Sequence, residues 1–340
     1  MPGPGVVAGA FTDADPRAVA DAIWAAAATP VDTIRAAETL IGLTAAAARL
    51  TAAVVLTTSP EVDALVAVLP RMVRSLTVAT NARTDRYFGE IRGPIVWNET
   101  LAARAATASD PAIFVCSSLQ RAYDTPENRV LVSALRSVVD AGILVERQGL
   151  RTRNSDLARH VRHNAGLANR YLDHRALSGV TSSPDRRDVM RARSGKHRGT
   201  YLPALAVLRR AAGPIGPDHV AALSSPRTRA QHAAFVAVLD ALARRGRPVP
   251  PLRSVGTTFA GGPVAFVHDD HAARHGRAPG VWVGDDLLLD VAVDSGGRVL
   301  DGDTALAALS GRAGAGVSVA VVRDVGDVDW ALDRAEGQAG

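Results

Sequence analysis

The acidic side chains near the end of the chain form the set best suited to metal-dependent chemistry. Asp285, Asp286 and Asp290 lie beside or within the apolar run LLLDVAV. Carboxylates at strand ends can hold Mg²⁺, which prefers oxygen ligands, and such a site can support hydrolysis. Roles in turns and helix caps are the commoner alternative. Asp290 is distinct because an unpaired charge inside an apolar strand is costly, so it must be paired, face an edge or belong to a site.

Histidines and the one cysteine give two further candidates. His268, His271 and His275 would share one face of a helix, a spacing suitable for zinc. The glycines and prolines around them favour a loop between strands, so we predict no metal site and no cofactor there. Cys116 is best explained as a small buried residue rather than a nucleophile.

Basic residues form the third group. The chain has 340 residues, 39 basic and 34 acidic, with a net charge of +5, and Lys196 is its single lysine. Residues 146–210 hold 15 of these cations and only 5 acids. Arginine binds phosphate bidentately, so this segment predicts contact with a nucleic-acid backbone; a solvated helix face with its acids elsewhere in the fold is the alternative. The candidate contacts are Arg159, Arg162, Arg170, Arg186, Arg187, Arg191, Arg193, Lys196 and Arg198.

The elements that must position these residues follow from periodicity and capping. The early part reads as two or three helices over 15–57 and an amphipathic stretch over 61–76, kinked near Pro70. The apolar runs LLLDVAV and VSVAVV, separated by a helix, predict a parallel strand–helix–strand unit. Further helices are expected over 99–107, 123–144, 155–175, 202–212, 226–245 and 303–311. Strands are expected over 86–97 (or a hairpin), 112–117, 263–267, 281–284, 286–293 and 317–323.

Composition bounds the class of protein. A single cysteine excludes an internal disulfide and fits a reducing cytoplasm. The start lacks the pattern of a secretory signal. The longest apolar run, over 40–56, is interrupted by Thr44, Arg49 and Thr51, so no membrane span is expected.

The residues GEIRGPIVW (89–97) and DTPENRVL (124–131) resemble two motifs of the McrC-type restriction proteins and their relatives. The first has Gly89, Arg92, Gly93 and Trp97, in the family pattern G-x-(I/V)-R-G-x-I-x-W. The second has Asp124, Pro126, Asn128 and Arg129, in the pattern D-T-P-x-N-R-x-L at a helix start. The resemblance covers about 50 residues. It implies a PD-(D/E)xK nuclease domain at the end of the chain and a GTP-driven motor as a separate partner.

The nuclease pattern itself is incomplete. Continuing the resemblance puts the first metal-binding acid at Gly280 and the Asp/Glu-x-Lys element at Asp290–Ala292. Such nucleases need at least two carboxylates and a lysine that orients the attacking water. Lys196 lies far from that strand, and an arginine would be a poor proton acceptor.

These observations together predict an α+β protein with helical N-terminal and middle regions and a restriction-endonuclease-like α/β domain at the C-terminus. Its expected regions are helical 1–80, β-containing 81–145, basic helical 146–222 and nuclease-like 223–340. We expect a catalytically eroded, nucleic-acid-binding component of a bacterial defence or DNA-processing system, working in the cytoplasm. One alternative is an active Mg²⁺-dependent endonuclease with a rearranged site at Asp285, Asp286 and Asp290. The other is a structural module whose basic segment binds an acidic protein partner.

Overall fold

The protein was analysed as a computed structural model that describes residues 9–28, 32–148, 155–247, 249–255, 258–272, 277–313 and 316–338. It has an α+β fold, as predicted. The chain divides into two compact units. Unit 1 combines residues 1–55 with residues 213–340, and unit 2 is the continuous segment 56–212. The four regions expected from composition stay a prediction, because composition and packing define different boundaries.

Helices form most of both units. In the first part of the chain they are α1 (Pro16–Ala26), α2 (Thr33–Ile41), α3 (Ala45–Thr57), α4 (Pro60–Met72), α5 (Trp97–Ala105) and α6 (Pro126–Arg147). The later helices are α7 (Ser155–Leu172), α8 (Arg186–Ser194), α9 (Arg198–Ala212), α10 (Pro217–Leu223), α11 (Pro226–Arg244), α12 (Gly302–Ala313) and α13 (Val325–Gln338). Several begin at a side-chain cap: Asp15 caps α1, Ser59 caps α4 and Ser225 caps α11.

Unit 2 contains a two-stranded antiparallel ribbon of β1 (Ala79–Phe88) and β2 (Ile113–Ala122). The strand expected over 86–97 is therefore wrong in its bounds, because β1 ends at Phe88 and α5 begins at Trp97. Gly89 ends the strand at a φ of +72°, a backbone conformation that glycine adopts without strain. The segment after it returns along the other side of β2, where the Val96 amide donates to the carbonyl of Val115.

Unit 1 is built around a six-stranded sheet. Its strands are β3 (Arg253–Val255), β4 (Thr258–Gly261), β5 (Val264–Val267), β6 (Gly280–Val283), β7 (Leu287–Val291) and β8 (Ser318–Val322). They lie side by side in chain order, and all neighbours are antiparallel except β7 and β8. Helix α12 connects that parallel pair, which confirms the predicted strand–helix–strand unit.

Alternate residues of β7 face two apolar layers. Leu287 and Leu289 join a core that includes Phe235 of α11, whereas Leu288 packs in a second cluster with Leu309 of α12. Both faces of the sheet are thus covered, as the continuous apolar runs predicted. Within the described residues, no single helix combines the length and apolar composition needed to cross a membrane; α3 with Pro60–Ser75, a pair bent by 46°, meets that test only when taken together.

Candidate functional site

A charged centre in unit 1 forms around Asp290 of β7. This side chain is only 2% exposed, and three donors converge on its carboxylate. The Arg227 guanidinium contacts Oδ2 through Nη2. The Gln231 amide donates to Oδ1 at 2.9 Å, and the backbone N–H of Val291 donates to the same oxygen at 2.8 Å. Of the three alternatives that the sequence left for Asp290, the structure shows that it is paired.

Arg227 lies in the first turn of α11, where Ser225 caps the helix and Pro226 is its first residue. All three nitrogens of its guanidinium are used. Nε donates to Asp269 Oδ2 at 2.9 Å, Nη2 contacts Asp290, and Nη1 donates to the backbone carbonyls of β7 and its continuation. With its side chain 13% exposed, Arg227 joins two carboxylates that belong to different elements.

Gln231 lies one helical turn after Arg227 and faces the same centre. Its Nε2 atom is 2.9 Å from Asp290 Oδ1 and 3.4 Å from Asp269 Oδ1. Its Oε1 atom is buried and has no hydrogen-bond partner among the described residues. The amide therefore bridges the two acids and retains one unused acceptor.

The electrostatics of the centre are those of a buried ion pair with an additional carboxylate. Burial raises the pKa of Asp290, and the Arg227 guanidinium opposes that change. Burial lowers the pKa of Arg227, but the charges of Asp290 and Asp269 outweigh it and raise the pKa overall. Because three donors point at the Asp290 oxygens, we assign the ionised form at neutral pH.

The proposed catalytic acids do not meet at this centre. Asp286 directly precedes β7 and Asp290 is its fourth residue, so the two lie about 13 Å apart along the strand. Asp285 is exposed beside Asp286, and its carboxylate contacts Arg277. The acid that does reach Asp290 through a shared guanidinium is Asp269, which the sequence placed in a histidine-rich loop.

Gly280 lies beside Asp290 on the neighbouring strand, and Ala292 follows Asp290 by two residues. A Cβ added to Gly280 would be 3.4 Å from the Asp290 Cβ but only 2.7 Å from the carbonyl oxygen of Leu289. With a φ of +133°, this position excludes an aspartate without movement of the backbone. Ala292 is buried, and it places no amine in the centre.

The structure describes only part of the histidine cluster. His268 is buried, with Nε2 at 3.2 Å from the Thr228 hydroxyl, while Asp269–His271 form a short 3-10 helix. His275 lies outside the described residues. None of the described residues forms a group of three or more histidines, cysteines or acids suited to a metal ion.

The second family motif lies in unit 2 and is built into its core. Thr125 caps α6 and Pro126 is the first helical residue. Arg129 binds Asp124 bidentately, with Nε at 2.8 Å and Nη2 at 2.9 Å from its two oxygens. The hydrogen bonds from Arg129 lower the pKa of Asp124. Asn128 is fully buried and bonded on both sides of its amide, so this motif positions α6 rather than presenting groups to a ligand.

The first motif shapes the chain beside the β1–β2 ribbon. Gly93 has a φ of +132°, and a Cβ there would come within 2.6 Å of the Ser117 carbonyl oxygen, so only glycine allows this approach. Arg92 pairs with Glu90 and lies over the ring of Tyr87. Trp97 begins α5 and is 57% exposed.

All nine predicted nucleic-acid contacts are exposed. Three lie on α7, where Arg159 pairs with Asp156. The other six form what we call the α8 cation cluster, defined as Arg186, Arg187, Arg191, Arg193, Lys196 and Arg198.

The acids next to the α8 cation cluster are used internally. Asp185 and Asp188 form a capping box at the start of α8, and Asp188 is buried against Arg129. Asp188 and Ala192 face inward one turn apart, which leaves Arg186, Arg187 and Arg193 on the opposite half of the helix surface, while Arg191 lies 3.8 Å from the buried Glu127. Among the described residues, Arg186, Arg187 and Arg193 have no ion-pair partner.

Three residues of the carboxylate centre escaped the sequence analysis: Arg227, Gln231 and Asp269. The signal available in the sequence was a pair of polar residues, Arg227 and Gln231, four positions apart on a helix whose buried side is otherwise apolar. That pattern is common at exposed helix starts, and it does not identify a partner strand more than 60 residues away.

Comparison with known proteins gives no assignment. No protein-family model matches the chain, and no curated protein matches it either.

Proposed function

We propose that this protein binds nucleic acid through the α8 cation cluster and that its nuclease-like centre does not cleave. The observation that carries the proposal is the exposure of all six cations of the cluster, while Asp185 and Asp188, the acids at the start of α8, are engaged in the capping box and Asp188 is buried. We further propose that it acts in the cytoplasm as a component of a bacterial defence or DNA-processing system.

The chemistry of the cluster favours phosphate. Five of its six members are arginines, whose planar fork grips phosphate oxygens bidentately and stays charged at every physiological pH. A helix that presents cations over half its surface contacts a phosphate backbone without reading base edges. Binding should therefore be strongly dependent on salt and weakly dependent on sequence.

The residues of the centre support the second half of the proposal. Asp290 contacts an arginine, and Gly280 and Ala292 supply neither the second acid nor the lysine of the family pattern. Arg227 cannot serve as a proton acceptor because a guanidinium stays protonated.

The test compares two variants with the same loss of charge. One carries Arg186→Gln, Arg187→Gln and Arg193→Gln; the control carries Arg49→Gln, Arg253→Gln and Arg312→Gln, three exposed arginines of unit 1. Fluorescence anisotropy with labelled duplex DNA gives the affinity over a range of salt concentrations.

Each lost phosphate contact lowers the slope of log affinity against log salt by about one, so the cluster variant should lose a slope of roughly three. The control variant should keep the native slope. Equal loss in both variants would show attraction to net charge alone. Affinity indifferent to salt, or retention of a protein partner after nuclease treatment with no DNA binding, would refute the proposal.

A further inference from the structure

We propose that Arg227 is a built-in cation that takes the position of a divalent metal ion between Asp269 and Asp290, so that the native centre excludes Mg²⁺ and Mn²⁺. This inference rests on the proposed function in one respect, because it gives a physical cause for a nuclease-like centre that does not cleave. The inference also predicts that replacing Arg227 alone creates a binding site for a divalent cation.

The guanidinium and a metal ion would compete for the same atoms. Arg227 Nε is 2.9 Å from Asp269 Oδ2, and the adjacent Nη2 contacts Asp290 Oδ2. A divalent ion would need these oxygens at about 2.0–2.6 Å. Because Arg227 touches both oxygens, an ion can approach them only if the arginine side chain leaves.

The charges at the centre suit a divalent ion better than a guanidinium. Two carboxylates carry a charge of −2, and one guanidinium leaves a net charge of −1. Asp290 is almost fully buried, whereas the Asp269 side chain is 37% exposed and keeps the excess charge in contact with solvent. A divalent cation would neutralise both acids, so the pair retains affinity for one once Arg227 is removed.

Gln231 supplies an independent indication of a cation ligand. The residue is 1% exposed, its Nε2 lies within hydrogen-bond distance of both carboxylates, and its Oε1 is buried without a partner among the described residues. Rotation of the amide about its last torsion exchanges these two similar-sized atoms. With a metal ion in place of Arg227, Oε1 would become a third oxygen ligand beside Asp269 and Asp290.

The experiment uses Mn²⁺ as the probe and the full chain. The variant Arg227→Met removes the charge but keeps a long apolar side chain, and the matched control is Arg227→Met combined with Asp290→Asn. Mn²⁺ binding is followed by electron paramagnetic resonance and by isothermal titration calorimetry, without nucleic acid. We expect Arg227→Met to bind one Mn²⁺ per chain about tenfold or more tightly than the native chain, and the double variant to lose that gain.

Folding of the single variant is itself informative, because removing one partner of a buried ion pair leaves an uncompensated charge. We expect Mn²⁺ to raise the melting temperature of Arg227→Met and to leave that of the double variant unchanged. If Arg227→Met stays unfolded in millimolar Mn²⁺ while the double variant folds, the metal does not replace the guanidinium and the proposal is wrong.

Two other outcomes also overturn the inference. One is a folded Arg227→Met that binds Mn²⁺ no more tightly than the native chain. The other is a native chain that already binds Mn²⁺ in a manner lost on Asp290→Asn, which would mean that the ion displaces Arg227. The proposed function fails separately, through the salt dependence of the α8 cluster variant, since that cluster shares no residue with this centre.

Discussion

Replacing Asn128 with alanine is expected to destabilise unit 2 more than most single substitutions. The residue is fully buried in the first turn of α6. Its Nδ2 donates to the backbone carbonyls of Thr77 at 2.9 Å and Tyr123 at 2.8 Å. Its Oδ1 accepts from the Tyr201 hydroxyl at 2.5 Å and the Thr77 hydroxyl at 3.3 Å. The Asn128 amide thus connects the segment before β1, the segment before α6 and helix α9.

The magnitude follows from these contacts. Four hydrogen bonds at a net of about 1 kcal/mol each suggest a loss of roughly 4 kcal/mol, and buried groups left without partners add to it. The fully buried Tyr201 hydroxyl keeps only its contacts with Thr77. A domain's whole stability is about 5–15 kcal/mol, so Asn128→Ala would remove a large part of it. Tyr201→Phe removes one hydroxyl with three contacts, to Asn128 and to the amide and hydroxyl of Thr77, and on the same scale should cost about 3 kcal/mol.

Urea unfolding followed by circular dichroism gives the overall loss, and hydrogen exchange with mass spectrometry assigns it to a unit. Peptides from α6 and α9 should lose protection in Asn128→Ala, while peptides from α11 in unit 1 should keep theirs. A loss below about 1 kcal/mol, or no more than that of Tyr201→Phe, would refute the structural role assigned to the motif.

Two further predictions concern buried contacts of unit 1, and the second uses Gly89 of unit 2 as its reference. Burial lowers the pKa of His232 from 6.5 to about 4, so its neutral form contributes stability that is complete above pH 6.5 and is lost as the pH falls towards 4. This shift corresponds to about 3 kcal/mol of unfolding free energy. The variant His232→Gln keeps an N–H donor for the Leu40 carbonyl but does not titrate, so its free energy of unfolding in urea should fall less between neutral pH and pH 4 than that of the native chain. Equal falls in the two proteins would contradict the prediction. Gly42 and Gly89 share a φ of +72°, but a Cβ would be 2.2 Å from His268 Nδ1 at Gly42 and would meet nothing within 4 Å at Gly89. In thermal unfolding, Gly89→Ala should therefore lower the free energy of unfolding by about 1 kcal/mol, and Gly42→Ala should lower it by at least about 2 kcal/mol more. Similar losses in the two variants would show that the contact with His268 relaxes freely.

The sequence identified the elements of unit 1 better than it identified their partners. Asp290 was recognisable because a charge inside LLLDVAV must be paired, and α11, β7 and the parallel crossover to β8 were expected from their apolar patterns. Its partner Arg227 could not be recognised from the sequence, since a position in the first turn of a helix is equally compatible with a solvated side chain. Strands β3 and β4 were missed because β3 has only three residues and β4 ends in alanine and glycine, which are depleted in strands.

The same limit applies to the site in unit 2. Exposure of the nine cations followed from their density, because so many charges cannot be buried in a helical unit. The burial of Asp188 could not be predicted, since the sequence does not distinguish a buried acid in a capping box from an exposed acid beside arginines. The McrC-like relationship remains a prediction, although the structure assigns its second motif a clear structural role.

The division of the chain has a consequence for the order in which it can fold during synthesis. Unit 2 is one continuous segment and is complete when residue 212 has been made. The N-terminal part of unit 1 depends on residues made much later: the Phe11 amide bonds to the carbonyl of Arg323, and the Ala28 amide to that of Leu252. The apolar faces of α1 and α2, including Ile23 and Leu40, pack in a core whose later members begin at Ile215. An emerging chain therefore leaves these faces uncovered until that later part of unit 1 has been made, and exposed apolar surface of this kind favours aggregation.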